Sequence, residues 1–159
     1  MSAIYSRVRA NSKLFPDKRA IVYGHDKNLT YSQLVERVEI RLRQLLSRVT
    51  LSCTRVALCL HESIDVPVTV LALNALMVPV IPMNPSLQPE QLWHLLESVD
   101  AELVIAESTT SRMLAGSGIE IVEMEKLNAS PETATLHFAS TGDYPEFLTT
   151  LSSGSTGNP

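Results

Sequence analysis

Arg55-Val56-Ala57-Leu58-Cys59-Leu60 carries an unbroken apolar run from Val56 to Leu60, and its reading decides the fold. A strand with one wet face alternates apolar and polar residues. A run of strand length without alternation suits a strand covered on both faces, as in a parallel sheet between helices. Downstream, Ser63 to Met77 is rich in Val, Ala and Leu and reads as a helix; Pro67 fits only a first turn, which moves the start toward Val66. Val78 to Ile81 is the next strand, confined to an edge or a strand end by its prolines. Pro89 opens a helix at its favoured first position, Glu90 complements the N-terminus, and Leu92, Leu95, Leu96 and Val99 form the buried stripe. Leu103 to Ala106 and Ile119 to Val122 are two further strands, with Ser108 as the cap of a short helix to Ala115 between them. From Glu123 to Glu146 the pattern fades into a long connection before a last short strand, Glu146 to Leu151.

Upstream, Ile4 to Leu14 is helical, with Ile4, Val8 and Leu14 available to a core, and Pro16 ends it. Lys18 to Tyr23 and Lys27 to Thr30 suit a hairpin around Gly24-His25-Asp26. Thr30 and Gln33 are spaced as a capping box for a helix running to about Ser47. Its apolar positions Leu34, Val38, Leu42, Leu45 and Leu46 recur at helical spacing, with Glu36, Arg37, Arg41 and Arg43 on other faces. Strand and helix in succession argue for one α/β domain over residues 1–159, a mostly parallel sheet flanked by helices with right-handed crossovers.

Composition sets limits on function. The chain is 45% hydrophobic and 19% charged, which is globular, with a net charge of −4 that offers no basic field to nucleic acid or an anionic membrane surface. No apolar run reaches the roughly 18 to 20 residues of a membrane span, and the first residues lack a signal-peptide core, so the expected compartment is the cytoplasm. Cys53 and Cys59 along one strand would stand roughly 20 Å apart, too far for a disulfide, and read as core thiols. His61-Glu62 begins like a zinc-protease helix but lacks the second histidine at Asp65. His25, His94 and His137 have no ligand-spaced partners; Glu120, Glu123 and Glu125 read as a solvated face. Trp93 and His94 lie off the buried stripe of their helix, open to partial burial or to a partner.

The last nine residues, Leu151-Ser152-Ser153-Gly154-Ser155-Thr156-Gly157-Asn158-Pro159, concentrate hydroxyls and glycines after the final strand. Gly154 and Gly157 allow positive φ and a close backbone approach to an anion, while Ser152, Ser153, Ser155 and Thr156 supply hydroxyl donors. A strand end is where open α/β sheets hold ligands. Asn158 after Gly157 excludes a Walker A loop, and no G-x-S-x-G elbow makes these serines hydrolase nucleophiles. Composition alone also fits a flexible linker.

The order S-S-G-S-T-G-N-P resembles the phosphate-loop signature of the AMP-forming adenylating enzymes, which include acyl-CoA synthetases, adenylation domains of nonribosomal peptide synthetases and luciferases. Phe15-Pro16-Asp17-Lys18-Arg19-Ala20-Ile21, Leu29-Thr30-Tyr31-Ser32-Gln33-Leu34, Arg55 to Leu60, and Val78 to Pro85 are similar to that family's upstream segments, in the same order. Leu76-Met77 stands where the family usually has Gly-Ala, and Pro82 to Pro85 resembles the turn of o-succinylbenzoate:CoA ligase. The resemblance implies the N-terminal part of the large domain of a ligase using ATP and Mg²⁺. Such a ligase turns a small carboxylic acid into an acyl-adenylate and then a thioester on CoA or phosphopantetheine. It implies cofactor-binding roles for Ser152, Ser153, Gly154, Ser155, Thr156 and Gly157, with Thr156 and Ser152 foremost, and no catalytic residue or protein metal ligand in this stretch. The expected lysine would be residue 160, so the loop at 151–159 is expected to be truncated and the 159-residue fragment inactive alone. The alternative is a non-catalytic interaction module, a homodimer being one assembly for it.

Overall fold

A computed structural model describes residues 2–24, 27–46 and 55–129. The final strand expected at 146–151, the loop at 151–159, Cys53, His25 and His137 lie outside the described residues. Twelve elements are described: α1 (Ala3–Leu14), β1 (Arg19–Tyr23), β2 (Lys27–Thr30), α2 (Tyr31–Leu46), β3 (Val56–Cys59), α3 (Asp65–Ala75), β4 (Val80–Pro82), α4 (Pro89–Ser98), β5 (Leu103–Ala106), α5 (Ser108–Met113), β6 (Glu120–Glu123) and α6 (Met124–Asn128).

β3 is buried at every position, as its unbroken apolar run requires. It pairs in parallel with β4 (Val56 opposite Val80) and with β5 (Val56 opposite Leu103), and β6 joins β5, so the order is β4-β3-β5-β6. Alternate residues of each strand feed two cores. Val56, Leu58, Val80, Leu103 and Ile105 face a core built with α1, α2, α3 and α6; Ala57, Cys59, Ile81, Val104 and Ala106 face Leu92 and Leu96 of α4 and Leu114 after α5. Topology explains the division. The chain steps from β3 to β4 in one direction and from β4 back past β3 to β5 in the other, so right-handed crossovers put α3 and α4 on opposite faces.

Local chemistry sets the ends of the elements. The Thr30–Gln33 capping box forms in both directions, Thr30 N–H to Gln33 Oε1 at 3.0 Å and Gln33 N–H to Thr30 Oγ1 at 3.3 Å. α3 starts at Asp65, so Pro67 falls in its first turn. α3 and α4 both end in Schellman motifs. Val78 N–H bonds Leu73 O and Met77 N–H bonds Asn74 O, both at 3.0 Å; Ala101 N–H bonds Leu96 O at 3.1 Å and Asp100 N–H bonds Glu97 O at 3.2 Å. The left-handed positions are occupied by Met77 (φ 63°) and Asp100 (φ 49°) rather than glycine.

Four expectations are corrected. Ile4 and Leu14 are exposed; the core residue of α1 is Tyr5, fully buried, with Val8 packed beside it on the same helical face. Arg41 is buried within the stripe of α2, because Leu34 plus seven residues returns to the same face. Glu107, not Ser108, holds the N-cap position of α5. Right after Glu123, where the sequence pattern fades, α6 forms and buries Met124 and Leu127.

Candidate functional site

The sheet order reverses between β3 and β5, and in open α/β sheets the crevice outside the strand C-termini at such a reversal is where ligands bind. His61, two residues past β3, and Glu107, directly past β5, meet there. The His61 N–H donates to Glu107 Oε1 at 3.0 Å, and His61 Nδ1 lies 2.8 Å from Glu107 Oε2. A carboxylate on Nδ1 fixes the ring and leaves Nε2 directed away from that partner. Beneath the pair, Cys59 is a buried free thiol whose pKa is pushed up to about 11, first by burial and then by the charge of Glu107.

The hairpin closes one side of this rim. Tyr23 Oη donates to the Glu62 carbonyl at 2.7 Å, and Ile21, Tyr23, Leu60, Glu62, Ile64 and Val66 help line a cleft of about 410 Å³ between hairpin and β3–α3 turn. On the far side, Glu125 accepts the Ser108 N–H at 3.2 Å. Its carboxyl is held below the usual range by its own backbone N–H first and by Ser108 after that.

A polar cluster missed by the sequence reading lies under the start of α3. Arg41 Nη2 donates to Asp65 Oδ1 at 2.9 Å and to Asn128 Oδ1 at 2.6 Å, Nη1 contacts Met124 Sδ, and Nε has no hydrogen-bond partner among the described residues. Burial lowers the Arg41 pKa, with Asp65 opposing. The spacing Leu34–Val38–Arg41–Leu42–Leu45 was the available signal.

The rim is acidic, with Glu62, Glu107 and Glu125 near its mouth, and among the described residues no group of three or more His, Cys, Asp or Glu could hold a metal ion. These residues alone do not fit a magnesium triphosphate. The residues expected to meet phosphate, Ser152, Ser153, Gly154, Ser155, Thr156 and Gly157, lie outside the described residues. Among the described residues no helix is long and apolar enough to cross a membrane.

Fold and rim define an open α/β protein with a ligand crevice at its strand ends. Residues 8–159 match the AMP-binding enzyme family, and the chain belongs to it. It is 25% identical over 159 residues to bacitracin synthase 1 of Bacillus licheniformis, an alignment covering 99% of this chain and 3% of the synthase. The N-terminal subdomain of Klebsiella oxytoca NpsA, solved in complex with 3-hydroxybenzoyl-AMSN, superposes with a TM-score of 0.82 at 22% identity, over 100% of this chain and 40% of that one. The o-succinylbenzoate coenzyme A synthetase MenE of Bacillus subtilis, in complex with ATP and magnesium ion, gives 0.72 at 16% identity, over 82% and 36%. The chain thus spans a small part of the synthase and well under half of either solved chain. The family resemblance and the parallel α/β fold are borne out.

Proposed function

We propose that this chain is the N-terminal part of the large domain of an ATP-dependent ligase that joins a carboxylic acid to AMP and then to the thiol of CoA or a phosphopantetheine arm, working in the cytoplasm. The family match across residues 8–159, ending on S-S-G-S-T-G-N-P, carries the reading. The hydroxyls of Thr156 and Ser152, with Ser153, Ser155 and the amides around Gly154 and Gly157, hold the β- and γ-phosphates. Their work is electrostatic: donors already in place meet the charge that builds on the leaving pyrophosphate.

The test is ATP–pyrophosphate exchange across amino, aryl and fatty acids, using a protein that contains these residues and the remainder of the domain. Thr156→Ala and Ser152→Ala should each lower exchange by roughly 10- to 100-fold without changing Tm. Unchanged exchange in both would remove the loop from the reaction. The 159-residue polypeptide alone should give background exchange, since a phosphate loop needs support from both sides to keep its geometry.

A further inference from the structure

α4 turns two faces to different surroundings. Leu92 and Leu96 are fully buried against the sheet, while Glu90, Trp93, His94 and Glu97 fall at helical spacing on the outward face. Met113, at the end of α5, joins them: Trp93 is 38% and Met113 41% exposed, and both line an open groove of about 360 Å³ with Pro89, Glu90, His94 and Glu97. An aromatic and a thioether side chain are therefore exposed side by side, with a carboxylate toward either end of the helix.

The charges identify the occupant. Among the described residues neither Glu90 nor Glu97 has a cationic partner, and the last turn of α4 contains no basic residue. Arg112, the nearest cation in sequence to Met113, turns its Nε back onto the Ser108 carbonyl at 3.2 Å. Glu97 sits in the last helical turn, where the helix dipole disfavours an anion. Such a carboxylate gains most from a cation brought by another molecule, and an indole face between two carboxylates adds cation–π attraction for the same charge.

The geometry points to this face of α4 as a docking surface for a helical segment of a partner protein that presents Lys or Arg beside an aliphatic side chain. The aliphatic group lies against Trp93 and Met113 and the cation between Glu97 and the indole. The argument uses no residue of the proposed phosphate loop, so the inference stands whether or not the ligase reading does.

Trp93 is the only tryptophan of the chain and reports on its own surface. The probes are two synthetic helical peptides with identical leucine spacing, one carrying lysines and the other glutamates at the flanking positions. Titrated into the full chain, the lysine peptide should shift Trp93 emission to the blue and saturate, with Kd at least about tenfold below that of the glutamate peptide and rising with salt. Glu90→Gln with Glu97→Gln, both exposed, should weaken the lysine peptide by about fivefold or more while leaving Tm unchanged. Equal affinity for the two peptides, no emission change, or unaltered binding by the double variant would overturn the proposal. Concentration-dependent self-association lost in Trp93→Ala would assign the face to a second copy and overturn it too.

Discussion

Glu107 holds His61 by two contacts, the backbone N–H at 3.0 Å and Nδ1 at 2.8 Å, and so ties the end of β3 to the end of β5 at the point where the sheet order reverses. The His61 N–H lies at an exposed position just past a central strand, where water is the alternative partner, and a carboxylate from the neighbouring strand satisfies it instead.

Glu107→Ala should remove both contacts and cost about 1 kcal/mol, with water softening the loss because the carboxylate is partly exposed. Glu107→Gln keeps an acceptor for one donor and should cost less. Urea denaturation gives the difference, and faster amide exchange at His61 in both variants would localise it. Equal stability of wild type and Glu107→Ala would show that water replaces the carboxylate fully.

Arg41 joins α2 to Asp65 at the start of α3 and to Asn128 at the end of α6. Arg41→Ala leaves a void and two deprived oxygens, and should cost about 2 to 4 kcal/mol; Arg41→Met fills the volume and should cost less. Adding Asp65→Asn to Arg41→Met should cost less than the sum of the single changes, since the two groups share one interaction. Simple additivity in a chemical-denaturation cycle would show that the ion pair contributes nothing of its own.

Met77 closes α3 with φ at 63°, a conformation that costs an L-residue roughly 1 to 2 kcal/mol. Met77 is the second residue of the Leu76-Met77 pair, and the Schellman turn that aims the chain into β4 places its left-handed residue there, whereas Leu76 before it is right-handed at φ −79°. Met77→Gly should stabilise by about 0.5 kcal/mol, less than the full strain because glycine also loosens the unfolded chain. Asp100→Gly should gain less, as Asp tolerates this region better. A higher urea midpoint at unchanged m-value is the expected reading; a lower one would mean that Met77 packing outweighs its strain.

The elements legible beforehand were those whose periodicity met a local signal. β3 had its apolar run, α2 its capping box and stripe, and α4 its Pro89 start. What escaped depended on contacts distant in sequence. Arg41 looked like a surface charge until Asp65 and Asn128, 24 and 87 residues away, supplied its partners. Tyr5 rather than Ile4 enters the core because α2 and α3 decide which face of α1 is inner. α6 is one turn and a half, too short for periodicity to register. The His61–Glu107 contact joins residues 46 apart, and only the strand order brings them together. The proposed phosphate loop has the opposite character: its residues are contiguous, so their order alone pointed to the family that the match over residues 8–159 shows, without any tertiary contact.

Two buried acids predict how stability responds to alkali. Cys59 titrates near 11 instead of 9.0 in the folded chain, through burial and the Glu107 charge, and burial together with the Glu39 charge raises Tyr5 above its ordinary 10.0. A group whose folded pKa is raised contributes stability that is fully present below its unfolded pKa and is lost as pH climbs toward the folded value. For Cys59 the loss begins near pH 9 and continues toward 11; Tyr5 adds its own above pH 10. Each group should steepen the decline by on the order of 1 kcal/mol per pH unit within its window. Cys59→Ala should therefore flatten the curve between pH 9 and 10, where Tyr5 is still silent, and leave the slope above pH 10 mainly to Tyr5. Urea midpoints taken every half pH unit separate the two, and a wild-type curve that stays level from pH 8 to 10 would show that the Cys59 thiol ionises as freely in the folded chain as in the unfolded one.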